Sequence, residues 1–139
     1  LSEINDMKSL SVLRGNPLKR ARHVISEIAR TNAACAALAQ GDLTTLGNLM
    51  TQSHASLSAD MEVSTPEVDR LANIAQATTG VYGARMMGGG FGGSVIALVN
   101  RAEVQGAQDH IVSVYGQYLG RTPDSFVAKL AQGAHEWVG

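Results

Sequence analysis

Apolar residues recur at helical spacing through the first half of the chain and then give way to near-continuous runs. Leu18, Ala21, Val24, Ile25, Ile28, Cys35 and Leu38 keep a helical period, with Asn16 placed to cap it, Pro17 at its first position and Gly41 at its stop. Asp42 restarts the pattern as an N-cap, and Leu43, Leu46, Leu49, Met50 and Leu57 continue it. The two segments predict an antiparallel helical hairpin with a very short turn. Thr65 caps and Pro66 opens a third helix, in which Glu67 and Asp69 favour the N-terminal dipole. Its predicted buried stripe is Val68, Leu71, Ile74 and Ala75, and Gly80 ends it.

The period then changes. Residues 81–87 predict a strand, a glycine-rich stretch follows, and residues 94–99 predict a second strand apolar enough for burial on both faces. Asn100 and Glu103 resemble a capping box for a fourth helix through Tyr118, with Val104, Ile111, Val114, Tyr115 and Tyr118 inward. Residues 125–130 predict a last strand, while residues 1–15 carry no assignable pattern. This order predicts an α+β sandwich, a small, mainly antiparallel sheet covered on one side by helices.

A length of 139 residues fits a single domain, 1–139, able to bury its own core. A formal net charge of −1 supplies no basic field for nucleic acid or an anionic membrane. Cys35 is the single cysteine, so neither a disulfide framework nor a zinc spacing exists, which fits a reducing compartment, most simply the cytoplasm. No apolar run approaches the roughly 20 residues of a membrane span, and no signal-peptide pattern opens the chain. The first residue is Leu1 and the opening LSEINDMKSL is already mid-pattern, so a piece of a longer protein is expected.

Five glycines in six positions, Gly88, Gly89, Gly90, Gly92 and Gly93 around Phe91, are the sharpest departure from ordinary composition. Gly88, Gly90 and Gly93 satisfy G-x-G-x-x-G, but the dinucleotide fingerprint needs a helix after the third glycine, and Val95, Ile96 and Val99 favour a strand. Adding Val95 gives the protein-kinase loop pattern, yet the lysine, H-R-D and D-F-G signatures are missing. No Walker A lysine is present either. Two readings remain for a strand–glycine loop–strand unit. It is a nest of backbone N–H groups for an anion, or a crossing where another backbone packs closely.

The string Gly-Ala-Arg-Met-Met-Gly-Gly-Gly-Phe-Gly-Gly-Ser at 83–94 resembles the third motif of the GHMP small-molecule kinases, and the galactokinase branch in particular. Arg20 to Glu27 with Arg30, Ser53 to Leu57, and Glu62 to Asp69 agree with that branch in order and spacing, over roughly residues 14–99. Met87 stands where the branch commonly has threonine. The resemblance implies ATP- and Mg2+-dependent phosphorylation of the anomeric hydroxyl of galactose, in a cleft between two domains. It implies that this chain is the C-terminal, ferredoxin-like domain, with residues 88–93 near the nucleotide phosphates. It also implies that the catalytic residues lie in an absent N-terminal domain, so none is assigned here and the chain alone is expected to be inactive.

Other residues carry weaker messages. Arg85 can reach a phosphate, brace the loop, or pair with a neighbouring helix. Met86 and Met87 face opposite ways on a strand, one to the core and one to the cleft. Ser53, His54, Ser56 and Asp60 read as a helix-end hydrogen-bond cluster rather than a nucleophile and base. His54 is expected to bind backbone carbonyls, and the resemblance implies that it supports the cleft. His23, Glu27 and Arg30 share a helix face and predict an ion-pair ladder, since no second ligand pair offers a metal site. A sugar- and nucleotide-sensing module without turnover is the alternative function, and a scaffold that binds no nucleotide is a third. A face stripped of its partner domain predicts an apolar patch and self-association.

Overall fold

Residues 7–128 are described by the structure, a computed structural model. A short 3-10 helix, Met7–Val12, precedes α1 (Gly15–Gln40), α2 (Leu43–Ser56), a π-turn (Leu57–Met61), α3 (Pro66–Gln76), β1 (Val81–Met87), β2 (Ser94–Val99) and α4 (Val104–Leu119). Helices and a small antiparallel sheet are the architecture expected. Both strands fall on the predicted residues.

Three predicted stops and caps hold. Gly41 closes α1 in the left-handed region, and Asp42 accepts the Thr45 amide at 2.9 Å and its hydroxyl at 2.6 Å. Thr65 accepts the Val68 amide at the start of α3. The start of α1 differs. Arg14, not Asn16, occupies the cap position, in extended backbone with no side-chain cap, and its guanidinium turns back to the Ser11 and Leu13 carbonyls. Asn100 caps a turn by accepting the Ala102 amide, and α4 begins only at Val104, with no bond from Glu103 completing the box.

The sheet has two strands among the described residues, with Arg85 opposite Ile96 and Met87 opposite Ser94. Along β1, Ala84 and Met86 point into the core while Met87 is exposed, the alternation expected of a strand. The outer edge of β1 is closed by side chains. Gln76 on α3 donates to the Ala84 carbonyl at 2.8 Å, and the Met86 amide donates to His54 on α2. β2 is less buried than its composition predicts: Ile96 is exposed, and no strand covers it among the described residues. Residues 125–128 are not a strand, and residues 129 and 130 of that expectation lie outside the described residues. Where described, this segment turns back along α4, with Gln108 donating to Ser125 at 3.0 Å.

α2 buries Gly47, Ser53, His54 and Ser56, a small and polar set, rather than its leucines. The reason is distance. A Cβ at Gly47 would run into the Tyr82 backbone, and one at Gly83 into the Gly47 carbonyl, so helix and strand meet main chain to main chain. Ile28, Cys35 and Leu38 of the predicted α1 stripe are exposed, as is Tyr118 on α4, which stacks on Arg70 and Tyr115 at the rim.

Candidate functional site

The glycine loop, residues 88–93, joins β1 to β2 and stands clear of the core. Gly88, Gly90, Phe91, Gly92 and Gly93 all have positive φ. Phe91 is the one side chain in the loop, 78% exposed and in a conformation that suits glycine better. Its amide donates to the Val63 carbonyl at 2.7 Å, so one of the loop's N–H groups is already used. A Cβ at Gly90 would come within 2.5 Å of that same carbonyl. Gly90 is required by close approach inside the chain, whereas at Gly88, Gly89 and Gly92 a Cβ would meet nothing within 4 Å.

Three braces stand behind the loop. The first is His54, deeply buried, whose Nδ1 accepts the Met86 amide at 3.2 Å while Nε2 lies 3.2 Å from Asp69 Oδ1. An accepting Nδ1 places the proton on Nε2, facing the carboxylate. Burial pushes the His54 pKa below its ordinary value despite Asp69, so the ring is neutral. His54 thus binds an amide of the strand and not backbone carbonyls. Asp69 Oδ2 accepts from Ser58 at 2.8 Å, tying α3 to the π-turn.

The second brace is Glu27 on α1, which accepts from Arg30 at 2.5 Å and from Ser53 at 2.7 Å, with Arg85 at 3.9 Å. Burial alone would raise the Glu27 pKa; the Arg30 and Ser53 hydrogen bonds outweigh it and hold the carboxyl below the usual range. Beside this group lies a hollow of about 70 Å3, lined by Glu27, Arg30, Ser53 and Arg85 among others. Arg85 also donates from Nε to the Met86 carbonyl. It braces the base of the loop and meets the neighbouring helix at once.

The third brace was the least visible in sequence. Glu62, just after the π-turn, is a non-glycine residue with φ 57, and its carboxylate accepts from Lys19 at 2.8 Å and Arg20 at 2.7 Å. Arg20 also donates to the Asp60 carbonyl, and Arg22 reaches the Asp60 carboxylate at 3.2 Å. Ser53, His54, Ser56 and Asp60 do not converge as a nucleophile and base. Ser53 turns to Glu27, His54 to Met86, and Ser56 to His23 at 3.0 Å and to Asp60 at 3.4 Å, the one contact of the predicted cluster that forms. His23 accordingly leaves the predicted ladder, of which the Glu27–Arg30 pair remains. Among the described residues no group of three or more His, Cys, Asp or Glu is placed to hold a metal ion, and no helix is long and apolar enough to cross a membrane.

The family model for the GHMP kinases C terminal matches residues 34–117, with the glycine loop inside that span. The chain belongs to the GHMP kinase family. It is similar to the galactokinase of Homo sapiens, 43% identical over 134 residues, which are 96% of this chain and 33% of that protein. The galactokinase of Ligilactobacillus salivarius (strain UCC118) is 45% identical over 118 residues, 85% of this chain and 30% of that protein. The crystal structure of Lactococcus lactis galactokinase complexed with galactose superposes with a TM-score of 0.77 at 41% identity, over 88% of this chain and 31% of that one. This GHMP kinase C-terminal domain thus spans about a third of the length of the curated relatives it matches.

Proposed function

We propose that the chain is the C-terminal part of a galactokinase-type sugar kinase, which transfers a phosphoryl group from ATP to the anomeric hydroxyl of galactose. Gly89 is the observation that carries this reading. Its φ lies outside the left-handed region, and a Cβ there would meet open space. Neither the conformation nor the packing of this chain demands glycine at 89, and the space beside it is open to a molecule approaching the loop from outside. Backbone N–H groups of such a loop, that of Phe91 apart, suit an anion, and a phosphate chain is the anion a kinase brings.

On this reading Gly88, Gly89, Gly90, Phe91, Gly92 and Gly93 cradle the nucleotide phosphates, with Arg85, Met87 and His54 supporting the cleft wall. Bound Mg-ATP supplies the phosphoryl group and the metal charge that offsets its negative oxygens. The residues of this chain orient and hold, while the metal ligands and the groups that move protons belong to an N-terminal kinase domain, its partner in the full-length protein. Cytoplasmic residence belongs to the same proposal.

The test measures ADP release with galactose and ATP, from the full-length protein and from this chain alone. Turnover from the full-length protein only is expected. Turnover by residues 1–139 alone would overturn the division of labour, and a full-length protein that phosphorylates another sugar but not galactose would overturn the substrate.

A further inference from the structure

We infer that Glu62 is a positioning residue, a strut that carries the placement of α1 to the glycine loop through the Val63 carbonyl. This inference rests on the kinase reading for its functional consequence, and on geometry alone for the strut itself.

The path is continuous and short. Lys19 and Arg20, one turn into α1, both donate to the Glu62 carboxylate. Glu62 ends the π-turn in a left-handed conformation, with the Val63 amide returning to the Leu57 carbonyl at 3.2 Å. That twist sets the direction in which the chain leaves the turn and brings Val63 to the loop, where its carbonyl accepts the Phe91 amide at 2.7 Å. Gly90 lies against the same carbonyl so closely that no side chain fits between them. The loop's middle is therefore held from one oxygen, and a strained residue sets the course of the chain that carries it.

The strain itself is informative. A glutamate at φ 57 costs about 1–3 kcal/mol relative to a residue at ease there, and such outliers concentrate at functional sites. Its two ion pairs are more than a third exposed, with side-chain exposures of 42% for Glu62, 41% for Lys19 and 37% for Arg20. Pairs of that kind contribute little to overall stability. Fold stability alone gives no reason to place glutamate rather than glycine at 62. Placing Val63 does, because two cations on one carboxylate hold Glu62, the residue from which the chain carries the Val63 carbonyl to the loop. A π-turn immediately before it points the same way, since such turns gather at functional positions.

Glu62→Gly and Glu62→Gln in the full-length protein test this. Glycine relieves the strain and removes the strut; glutamine keeps the shape and loses the charge. Both variants are expected to melt within a few degrees of the parent. In both, the Phe91 amide should exchange with solvent roughly tenfold faster, as local opening of the loop replaces the fixed bond. KM for ATP should rise several-fold with kcat less affected, and Glu62→Asp should recover part of each change. Unchanged Phe91 exchange in Glu62→Gly overturns the strut, whatever the kinetics. Faster Phe91 exchange in the variants, when the parent full-length protein itself turns over neither galactose nor ATP, keeps the strut and overturns the kinase reading. Faster exchange with an unchanged KM in an active kinase overturns the link between strut and nucleotide.

Discussion

His54 accepts the backbone amide of Met86 through Nδ1 at 3.2 Å, joining the last turn of α2 to the strand that leads into the glycine loop. The bond is buried at both ends. In His54→Ala the Met86 N–H is left without a partner, at a cost of about 1–3 kcal/mol. Urea unfolding should show the loss as a lower midpoint with an unchanged slope.

The same ring sets a pH dependence. Burial holds the pKa values of His54 and His23 below the ordinary imidazole value of 6.5. The unfolded chain takes up protons below 6.5 while the folded chain resists them, so stability is complete above that pH and falls as pH drops through the folded-state values. A melting series from about pH 8 to about pH 5 should show Tm falling across the lower part of the range. A Tm that is flat or rises toward acid would contradict the neutral ring. The Arg30 and Ser53 hydrogen bonds hold the Glu27 carboxyl below its ordinary value despite its burial, so its contribution disappears only in a second, more acidic decline.

Met86 and Met87 are neighbours with opposite surroundings, 1% and 53% exposed. Met86→Ala removes a fully enclosed side chain and should lower stability by about 2–5 kcal/mol. Met87→Ala should stay within about 0.5 kcal/mol of the parent. Denaturant titrations of the pair give the comparison directly, and equal effects would show that the register of β1 is wrong.

Gly47→Ala places a methyl group into the Tyr82 carbonyl across the α2–β1 contact. Since backbone cannot move aside as a flexible side chain can, the expected loss is about 3 kcal/mol or more. Gly106→Ala on α4, where nothing lies within 4 Å, is the matched control and should be stabilising by a few tenths to about 1 kcal/mol. Thermal melts of both variants check the contrast.

Gly89 and Gly90 separate inside from outside demands. Gly89→Ala should leave Tm unchanged and weaken ATP binding by the full-length protein, as read by calorimetry. Gly90→Ala meets the Val63 carbonyl at φ 91 and should disturb the loop even without nucleotide, as read by the amide shift of Phe91. Equal ATP affinity in the parent and Gly89→Ala would remove the support for a phosphate at the loop.

Sequence periodicity located both strands and the termini that have local chemistry, such as Asp42 with Thr45 and Thr65 with Val68. Those signals are short-range, so they survive without tertiary context. What it missed is set by partners distant in the chain. Gly47 reads as a helix defect until Tyr82 lies beside it, and Ser53, His54 and Ser56 read as one cluster until Glu27, Met86 and His23 each claim one. The leucines of α2 outrank its glycine in hydrophobicity, yet close approach decides which face is inward. The loop itself was legible because five glycines are costly to order and need a reason. Its attachment was not, because Val63 contributes only a carbonyl, which every residue has.

Gln76 and His54 close one margin of the sheet, and the consequence concerns how this molecule meets others of its kind. With those two side chains in place, β1 offers no unsatisfied ladder on that side at Ala84 and Met86. Removing them turns a guarded border into a template, and a chain altered there gains a second place from which intermolecular pairing can start.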